Sequence, residues 1–279
     1  MASQSTTASF ANIATNAARK AGAIINRAFN ETKNVEHKGK VDLVTETDKA
    51  CEKVVFDAIR SNFPEHKFIG EEESAARGTA APLTDDPTWM VDPLDGTTNF
   101  VHRWPFCCVS IALVVNKEVV VGVVYNPILD EMFTAEKGQG AFLNGSRIHV
   151  SDTSDLGSAL VATELGVTRE ERALDVIFER IRRLSAASRS LRCNGSCALN
   201  LCGVACGRLD AFFEIGFGGC WDVAAGALVL QEAGGHVLDP TGKPFGLMSR
   251  RVLGTNGKLD SIAEILSSSG SPEWEPLPP

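Results

Sequence analysis

The first part of the chain carries apolar residues at helical spacing in two places. From Phe10 to Ala28 they recur every third or fourth position, which predicts a long first helix. A second amphipathic segment begins at Asp48 and is stopped by Pro64. Between them lies the polar, lysine-containing segment 31–40. We interpret this segment as a solvated flexible loop; the alternative is a loop whose lysines swing over an anionic substrate.

The middle of the chain shows β-branched and alternating runs that are typical of strands. They occupy residues 109–115, 119–125, 131–135 and 147–150. The first two runs are joined by the polar turn Asn116-Lys117-Glu118, which predicts a hairpin. A short apolar run, Trp89-Met90-Val91, predicts another buried strand. We therefore expect residues 1–150 to form an N-terminal lobe of helices packed on a mostly antiparallel sheet.

Strand and helix patterns alternate after the turn region 151–157. The predicted strands are 159–163, 190–193, 209–215 and 236–238, and the predicted helices are 169–184, 198–206 and 223–233. This alternation is typical of an α/β arrangement, so residues 151–266 are predicted to form a C-terminal lobe. The Ser- and Pro-rich tail, residues 267–279, is predicted to be disordered.

Composition narrows the class of protein. A chain of 279 residues can bury roughly three quarters of its unfolded surface, enough for one large domain or two lobes. The net charge of −8, without a basic stripe, argues against nucleic acid as a partner. No apolar run reaches the length of about 18 residues that a membrane span needs, so no membrane partner is expected.

The cysteines predict a reducing compartment. They lie in otherwise apolar segments, and their spacings match neither a redox motif nor a zinc ribbon. The Ser- and Thr-rich start of the chain resembles a transit peptide only faintly, since it is too short and lacks arginine. We therefore expect a cytoplasmic location. The eight cysteines are Cys51, Cys107, Cys108, Cys193, Cys197, Cys202, Cys206 and Cys220.

Candidate chemistry begins where the apolar run 89–91 ends. The following segment reads Asp92-Pro93-Leu94-Asp95-Gly96-Thr97-Thr98-Asn99, with two carboxylates three positions apart in a tight turn. Such carboxylates repel each other at neutral pH unless a cation lies between them, and Mg²⁺ prefers oxygen ligands of this kind. The alternative is an Asp-rich surface turn, which most Asp-Gly pairs are.

Two further acidic segments favour the metal site. Glu71-Glu72-Glu73 follows the apolar run Phe68-Ile69-Gly70, and Asp222 lies in the first turn of a predicted apolar helix. Each has an ordinary explanation, as a solvated face or as an acid that complements a helix dipole. However, carboxylates are scarce beside apolar elements, and three such segments recur here. If they converge, Glu71, Asp92, Asp95 and Asp222 supply hard oxygen ligands for two or more Mg²⁺ ions.

These segments resemble the signatures of the inositol monophosphatase family, within the metal-dependent, lithium-sensitive phosphatase superfamily. The first signature extends from Trp89 to Phe100, and the second extends from Trp221 to Gly226 and continues through Gly235. The segments 41–48 and 68–72 are similar as well, and the resemblance covers about residues 10–266. Gly195-Ser196-Cys197-Ala198-Leu199 and Gly216-Phe217-Gly218-Gly219 resemble the plant-type branch, whose members act on inositol phosphates and L-galactose 1-phosphate.

The resemblance implies an α+β fold, the layered α-β-α-β-α sandwich of the sugar-phosphatase type. It also implies the metal ligands: Glu71, Asp92 and the Leu94 carbonyl for the first Mg²⁺, and Asp92, Asp95 and Asp222 for the second. A third, weaker ion would rest on Glu71 and water. The family is usually dimeric, so a homodimer is expected.

The catalytic group implied by the resemblance is Thr97 with Asp48 and Glu71. The Thr97 hydroxyl orients an attacking water that the metal activates, and its proton passes toward Asp48 or Glu71. The other interpretation of Asp48 is a helix cap, and the two roles are compatible. The N–H groups of Gly96 and Thr97 are expected to bind phosphate oxygens if a helix begins there.

The polyol part of a substrate is expected to meet a different set of groups. The resemblance assigns hydroxyl contacts to Glu214, Asp95 and Asp222, and backbone and hydroxyl contacts to Gly195 and Ser196. For Glu214 the alternative is an exposed acid at a strand end. Two features depart from the animal pattern and put the shape of the pocket in doubt. Cys197 replaces a small alanine, and Gly218-Gly219 contains one extra residue.

The predicted activity is Mg²⁺-dependent hydrolysis of small polyol phosphates, with myo-inositol 1-phosphate as the favoured substrate. L-Galactose 1-phosphate, histidinol phosphate or another small monoester is the alternative. Two other classes of protein are less consistent with these residues: a phosphatase of the haloacid dehalogenase type, and a non-catalytic metal-binding scaffold. The first needs its two Asp residues closer together and nearer the N-terminus. A non-catalytic scaffold would have little physical reason to keep so many like charges clustered.

Overall fold

A seven-stranded sheet organises the first half of the chain, in the order β3-β4-β5-β6-β7-β8-β9. The computed structural model describes residues 2–37, 43–166 and 169–268. The strands β3 and β4 are parallel, and all the other neighbours in this sheet are antiparallel. Its strands are β3 (Lys67–Gly70), β4 (Thr88–Asp95), β5 (Cys108–Val115), β6 (Glu118–Asn126), β7 (Glu131–Glu136), β8 (Gly140–Leu143) and β9 (Ser146–Ile148).

A five-stranded mixed sheet organises the second half, in the order β11-β10-β12-β14-β13. The strand β10 is parallel to both its neighbours, whereas β14 is antiparallel to β12 and β13. Its strands are β10 (Leu160–Thr163), β11 (Ser190–Arg192), β12 (Ala211–Ile215), β13 (His236–Leu238) and β14 (Arg251–Thr255). A separate two-stranded hairpin joins β1 (Val35–His37) to β2 (Leu43–Thr45).

Helices cover both faces of the large sheet. The helices are α1 (Ala2–Ala28), α2 (Glu46–Arg60), α3 (Glu71–Arg77), α4 (Thr97–Val101), α5 (Glu171–Ala187), α6 (Cys197–Ala205), α7 (Cys220–Glu232) and α8 (Ile262–Ser267). Trp89 and Val91 of β4 share one apolar cluster with α1 and α2. Met90, which points to the opposite face, shares another cluster with α6 and α7. The continuous apolar run 89–91 is therefore a strand buried on both faces.

The helices α6 and α7 form the central layer. Their apolar side chains contact strands of both sheets in one continuous cluster. A third cluster joins α5 and α8 to the far side of the five-stranded sheet, through Leu184, Ile262 and Phe213 among others. The architecture is the α-β-α-β-α sandwich that the resemblance implies, and the prediction of this fold is confirmed. The division into lobes 1–150 and 151–266 stays a prediction.

A close backbone approach sets the distance between α7 and the large sheet. Gly122 lies on β6, and a Cβ built on it would lie 2.7 Å from the Ala225 carbonyl oxygen of α7. Real Cβ atoms do not come this close to backbone atoms, so only glycine allows the helix to rest on the strand here. This contact matters for the chemistry because Asp222 lies in the first turn of the same helix.

The structure corrects several predicted boundaries. The second helix begins at Glu46, not Asp48, because the Thr45 side chain provides the N-cap. Part of the segment predicted as a flexible loop forms β1, and Lys33 lies with its Nζ 4.7 Å from the centre of the Phe100 ring. Lys38 and Lys40 lie outside the described residues, as does the predicted disordered tail beyond Ser268. The predictions missed β8, β14, α3 and α8, which are short or follow charged segments.

The predicted hairpin is present, with Asn116 and Lys117 both in the left-handed region at φ 51° and 63°. In the part of the chain that the structure describes, no helix combines the length and the apolar character needed to cross a bilayer.

The substitution Gly122→Ala tests the helix–sheet contact. The added methyl group must push α7 away from β6, so the free energy of unfolding is expected to fall by about 1–3 kcal/mol. Denaturant unfolding followed by circular dichroism measures this change. Gly157→Ala is the matched control, because its Cβ would lie at an ordinary 3.4 Å from the Asp155 Oδ2 atom. Equal stability of the two variants would contradict the contact.

Candidate active site

The predicted acidic segments line one cavity of about 580 Å³. It lies where β4 ends and where α3, α4, α6 and α7 begin, so several helix N-termini surround it. Asp48 is not part of the lining. The predicted site residues that line the cavity are Glu71, Asp92, Leu94, Asp95, Gly96, Thr97, Gly195, Ser196, Glu214 and Asp222.

The end of β4 places Asp92 and Asp95 on either side of a register shift. The pairing of β4 with β5 shifts register between these two residues, at the point where Pro93 and Leu94 interrupt the ladder. Asp92 Oδ1 accepts a hydrogen bond from the Leu94 N–H at 2.9 Å. Gly96 then adopts φ +85°, and a Cβ there would lie 2.9 Å from the Phe106 carbonyl oxygen. Glycine is therefore required for this turn.

The helix α6 holds Asp95 from the opposite side of the cavity. Asp95 Oδ2 accepts hydrogen bonds from the Ser196 hydroxyl at 2.6 Å and from the Ala198 N–H at 2.8 Å. Ser196 is also the N-cap of α6, with its hydroxyl oxygen accepting from the Leu199 N–H at 3.2 Å. These bonds occupy Oδ2, and they tie the large sheet to the N-terminus of a central helix.

Asp222 is held by the loop that precedes its own helix. Its Oδ2 atom accepts a hydrogen bond from the Gly218 N–H at 2.9 Å. Gly219 is fully extended, and a Cβ there would lie 2.5 Å from the Trp221 ring. The two glycines therefore allow the loop to fold tightly over the first turn of α7.

Glu71 is the first residue of α3, and the N-cap residue of this helix, Gly70, has no side chain that could accept a hydrogen bond. The Glu52 carboxylate of α2 caps the helix instead: its Oε1 atom accepts from the Glu72 N–H at 2.9 Å and from the Glu73 N–H at 3.4 Å. Burial raises the pKa of Glu52 to about 7, against the lowering effect of these hydrogen bonds. Glu52 thus fixes the helix that carries Glu71.

Burial and mutual repulsion dominate the electrostatics of the four acids. Burial raises the pKa of Asp92 well above its ordinary value, and the charges of Glu71, Asp95 and Asp222 raise it further. Burial also raises the pKa of Asp222, with Asp95 and Glu71 adding to the effect. The pKa of Asp95 is raised by burial too, although the hydrogen bonds from Ser196 and α6 oppose the increase.

This donor set fits a divalent cation. Several carboxylates buried in one cavity are charged together only if a cation compensates them, and hard ions take oxygen ligands. Although the acids line one cavity, residues 2–37, 43–166 and 169–268 contain no group of three or more His, Cys, Asp or Glu side chains already positioned to hold a metal ion. The fit therefore rests on the chemistry and common location of the donors.

Thr97 connects the β4 turn to Asp48. Its hydroxyl lies 3.1 Å from Asp48 Oδ1 and 3.1 Å from the Leu94 carbonyl oxygen, and its one proton serves one acceptor at a time. Asp48 Oδ2 also accepts from the Thr45 N–H at 2.8 Å, which completes a capping box for α2. Burial raises the pKa of Asp48, while the bonds from Thr45 and Thr97 oppose the increase. Asp48 is thus both a capping residue and a partner of Thr97.

The strand β12 places on the cavity an acid with one unpartnered oxygen. Glu214 is only 6% exposed, and its Oε2 atom is buried without a hydrogen-bond partner. Burial raises its pKa well above the ordinary value, with the charge of Glu164 as the next cause. Glu214 is therefore no exposed strand-end acid, and a hydroxyl group from a ligand would satisfy it.

The loop 194–196 is engaged within the protein. The Gly195 N–H donates to Glu164 Oε1 at 2.8 Å, and the Ser196 hydroxyl donates to Asp95. The predicted contacts of these two residues with a substrate remain predictions. Sequence reasoning missed Glu164, Asn99 and Glu52 as parts of this site. Glu164 follows the strand β10 just as Glu214 ends β12, so the strand-end pattern was the available signal.

Comparison with known proteins identifies the chain. Residues 7–271 match the model of the inositol monophosphatase family. The chain belongs to the inositol monophosphatase family. Inositol monophosphatase 2 of Solanum lycopersicum is 60% identical over 261 residues, which cover 93% of this chain and 98% of that protein. The prediction from the signatures is therefore confirmed, including the resemblance to plant members.

Solved structures of inositol monophosphatases agree. The enzyme from Anabaena (Nostoc) sp. PCC 7120 superposes with a TM-score of 0.81 at 37% identity, over 93% of this chain and 96% of that chain. SaIMPase-II gives a TM-score of 0.76 at 26% identity, over 92% and 94% of the two chains.

Membership of the inositol monophosphatase family makes the chain an inositol-phosphate phosphatase, and this family depends on a divalent metal. The alternatives of a non-catalytic scaffold and of a haloacid dehalogenase-type enzyme are wrong. The family model covers nearly the whole chain, and the fold is that of the inositol monophosphatases.

The substitution Glu52→Gln tests the support of α3. The pKa of Glu52 is about 7 in the folded protein against an ordinary 4.5, so folding favours its protonated form. The wild-type protein therefore loses stability relative to the variant as pH rises from about 4.5 to about 7, by about 2–3 kcal/mol in total. Unfolding in denaturant with a chelator, from pH 5 to pH 8, measures the difference.

Glu46→Gln is the control, an exposed substitution on the same helix, and its stability is expected to follow the wild-type curve. A Glu52→Gln curve parallel to wild type over this range would refute the buried, partly protonated state of Glu52.

Proposed function

We propose that this chain hydrolyses small polyol phosphate monoesters with Mg²⁺, and that myo-inositol 1-phosphate is its main substrate. The observation that carries this proposal is the convergence of Glu71, Asp92, Asp95 and Asp222 in one cavity, where burial and neighbouring charges raise the pKa of Asp92 and of Asp222. A cation between these acids and an anionic phosphate ester would replace their mutual repulsion with attraction.

The ligand sets follow the positions of the acids. Glu71, Asp92 and the Leu94 carbonyl would hold one ion, and Asp92, Asp95 and Asp222 a second, so Asp92 is shared. A third, weaker ion would rest on Glu71. Bound Mg²⁺ supplies Lewis-acid stabilisation of the phosphate and lowers the pKa of water at the site. The hydrogen bonds to Asp92 Oδ1 and Asp95 Oδ2 fix the directions in which these carboxylates present their remaining lone pairs.

Thr97, with Asp48 or Glu71, moves the proton of the attacking water. The Thr97 hydroxyl lines the cavity and lies within reach of Asp48, whose buried carboxyl group has a raised pKa. Thr97 orients an attacking water and passes a proton to Asp48 or Glu71. Attack proceeds in line with the bond to the leaving alcohol, with one displacement and inversion at phosphorus. The turn at Gly96 presents the N–H groups of Gly96 and Thr97 to phosphate oxygens.

Substrate selection rests on the polyol end. The buried, unpartnered Oε2 of Glu214 supports a hydroxyl contact there, and Asp95 and Asp222 are near enough for their charges to raise the pKa of Glu214. SaIMPase-II has been solved with inositol monophosphate bound, which supports inositol phosphate as the substrate class. The alternative main substrates are L-galactose 1-phosphate, histidinol phosphate or another small monoester. Gly195 and Ser196 border the same end of the cavity.

We also propose that the enzyme works as a homodimer in the cytoplasm. Free cysteines throughout the described chain favour a reducing compartment. The homodimer is proposed from the resemblance to a family whose members are usually dimeric.

A substrate panel tests the proposed activity. Phosphate release from myo-inositol 1-phosphate, L-galactose 1-phosphate and histidinol phosphate is measured with Mg²⁺ and then with added Li⁺. We expect turnover to be highest with the inositol ester, to require Mg²⁺ and to fall at millimolar Li⁺ or below. A higher kcat/KM for another monoester would reassign the substrate, and full activity in a chelator would rule out the metal.

The substitution Asp92→Asn tests the shared ligand. The amide keeps the shape but loses the charge that would bridge two ions, so kcat is expected to fall about a thousandfold or more while circular dichroism stays unchanged. Asp85→Asn is the matched control, since Asp85 is exposed shortly before the same strand. Near-wild-type turnover of Asp92→Asn would exclude a bridging role.

A further inference from the structure

The polyol side of the cavity depends on a loop that one half-buried acid holds in place. Glu164 follows the last residue of β10 and lines the cavity. Its Oε1 atom accepts hydrogen bonds from the Asn194 N–H at 2.8 Å, the Gly195 N–H at 2.8 Å and the Asn200 side-chain amide at 2.7 Å. Carboxylate acceptors make hydrogen bonds about twice as strong as neutral ones, so this oxygen is a strong anchor.

The same loop is held from its other side by Asn99. The Asn99 side-chain nitrogen lies 2.7 Å from the Asn194 carbonyl oxygen, 3.3 Å from that of Gly195 and 2.8 Å from that of Phe106. Gly195 adopts φ +84°, and a Cβ there would lie 2.8 Å from Asn99 Nδ2. The loop is thus clamped between an acid on the five-stranded sheet and an amide on α4, next to the β4 turn.

The loop that Glu164 and Asn99 hold is connected to Asp95 through Ser196. Ser196 follows Gly195 directly, begins α6 and donates to Asp95 Oδ2 at 2.6 Å. A displaced loop would move this hydroxyl, whereas Asp95 Oδ2 would keep the hydrogen bond from the Ala198 N–H of α6 at 2.8 Å. The charge of Glu164 is also the first of those that raise the pKa of Glu214, so the two acids lie on the same side of the cavity. In contrast, the described bonds connect Glu164 neither to Thr97 nor to Asp92.

We infer that Glu164 is a positioning residue for recognition of the polyol: it fixes the 194–196 loop, and with it the Ser196 hydroxyl, without touching the reacting phosphate. The inference rests on the proposed function, because it assigns the polyol end of the same cavity. It predicts that loss of Glu164 weakens binding of hydroxyl-rich esters much more than hydrolysis of a phosphate ester that has no hydroxyl groups.

The test compares Glu164→Ala and Glu164→Gln on two esters, myo-inositol 1-phosphate and p-nitrophenyl phosphate. For Glu164→Ala we expect KM for the inositol ester to rise about tenfold, and kcat/KM for the aryl ester to stay within about twofold. The glutamine variant keeps an oxygen that accepts from the Asn194 and Gly195 N–H groups, so it should recover most of the loss. Asp175→Asn is the control: it removes an exposed carboxylate on α5, away from the described bonds of the loop.

A double-mutant cycle with Asn99→Ala tests whether the two residues hold the same loop. If they do, the combined effect on KM for the inositol ester should be clearly smaller than the product of the single effects. Multiplicative effects, or equal KM increases for both esters in Glu164→Ala, would overturn the inference.

Hydrogen exchange separates this inference from the proposed function. The amides of Asn194 and Gly195 should exchange faster in Glu164→Ala than in wild type, whatever the substrate. Unchanged exchange at these amides would overturn the positioning role even if the inositol ester is hydrolysed. If wild type hydrolyses only the aryl ester, the proposed substrate is wrong, and the exchange result still decides whether Glu164 holds the loop.

Discussion

Repulsion among carboxylates is the constraint around which this site is built. Asp92, Asp95 and Asp222 are nearly inaccessible to solvent, and burial raises the pKa of each. Fixed dipoles offset part of that cost: α6 donates to Asp95, the Gly218 N–H donates to Asp222 and the Leu94 N–H donates to Asp92. The fold therefore gathers these acids in one cavity, and the hydrogen bonds orient their carboxylates there.

Two further acids, outside the lining of the cavity, hold the elements that carry site residues. Glu52 replaces the missing side-chain cap of α3, and Asp48 completes the cap of α2 while it accepts from Thr97. Both acids belong to α2, so one helix positions Glu71 and Thr97 from the outer side of the large sheet. Asp48 caps a helix and contacts the Thr97 hydroxyl at the same time, so the capping role leaves room for the catalytic role that we propose.

The sequence was most informative where local rules decide the structure. The apolar run 89–91, the turn at Gly96 and the hairpin at Asn116-Lys117 depend on neighbours in the chain, and each could be predicted from residue type. The acids at strand ends were found because a carboxylate beside an apolar run is unusual. Glu164 and Asn99 were missed because their hydrogen-bond partners lie about 30 and 95 positions away, and the position of Glu164 at a strand end does not by itself identify those partners. The short strands β8 and β14 depend on pairing in the same way.

The central layer has a consequence for how the enzyme admits its ligand. The helices α6 and α7 share one apolar cluster with strands of both sheets, including Met90 on one side and Phe212 on the other. Hinged opening of the two halves would tear this cluster apart and expose its side chains to water, at a cost far above thermal energy. A ligand must therefore reach the acids while both sheets stay packed on α6 and α7, so the interlayer packing limits how far the cavity can widen.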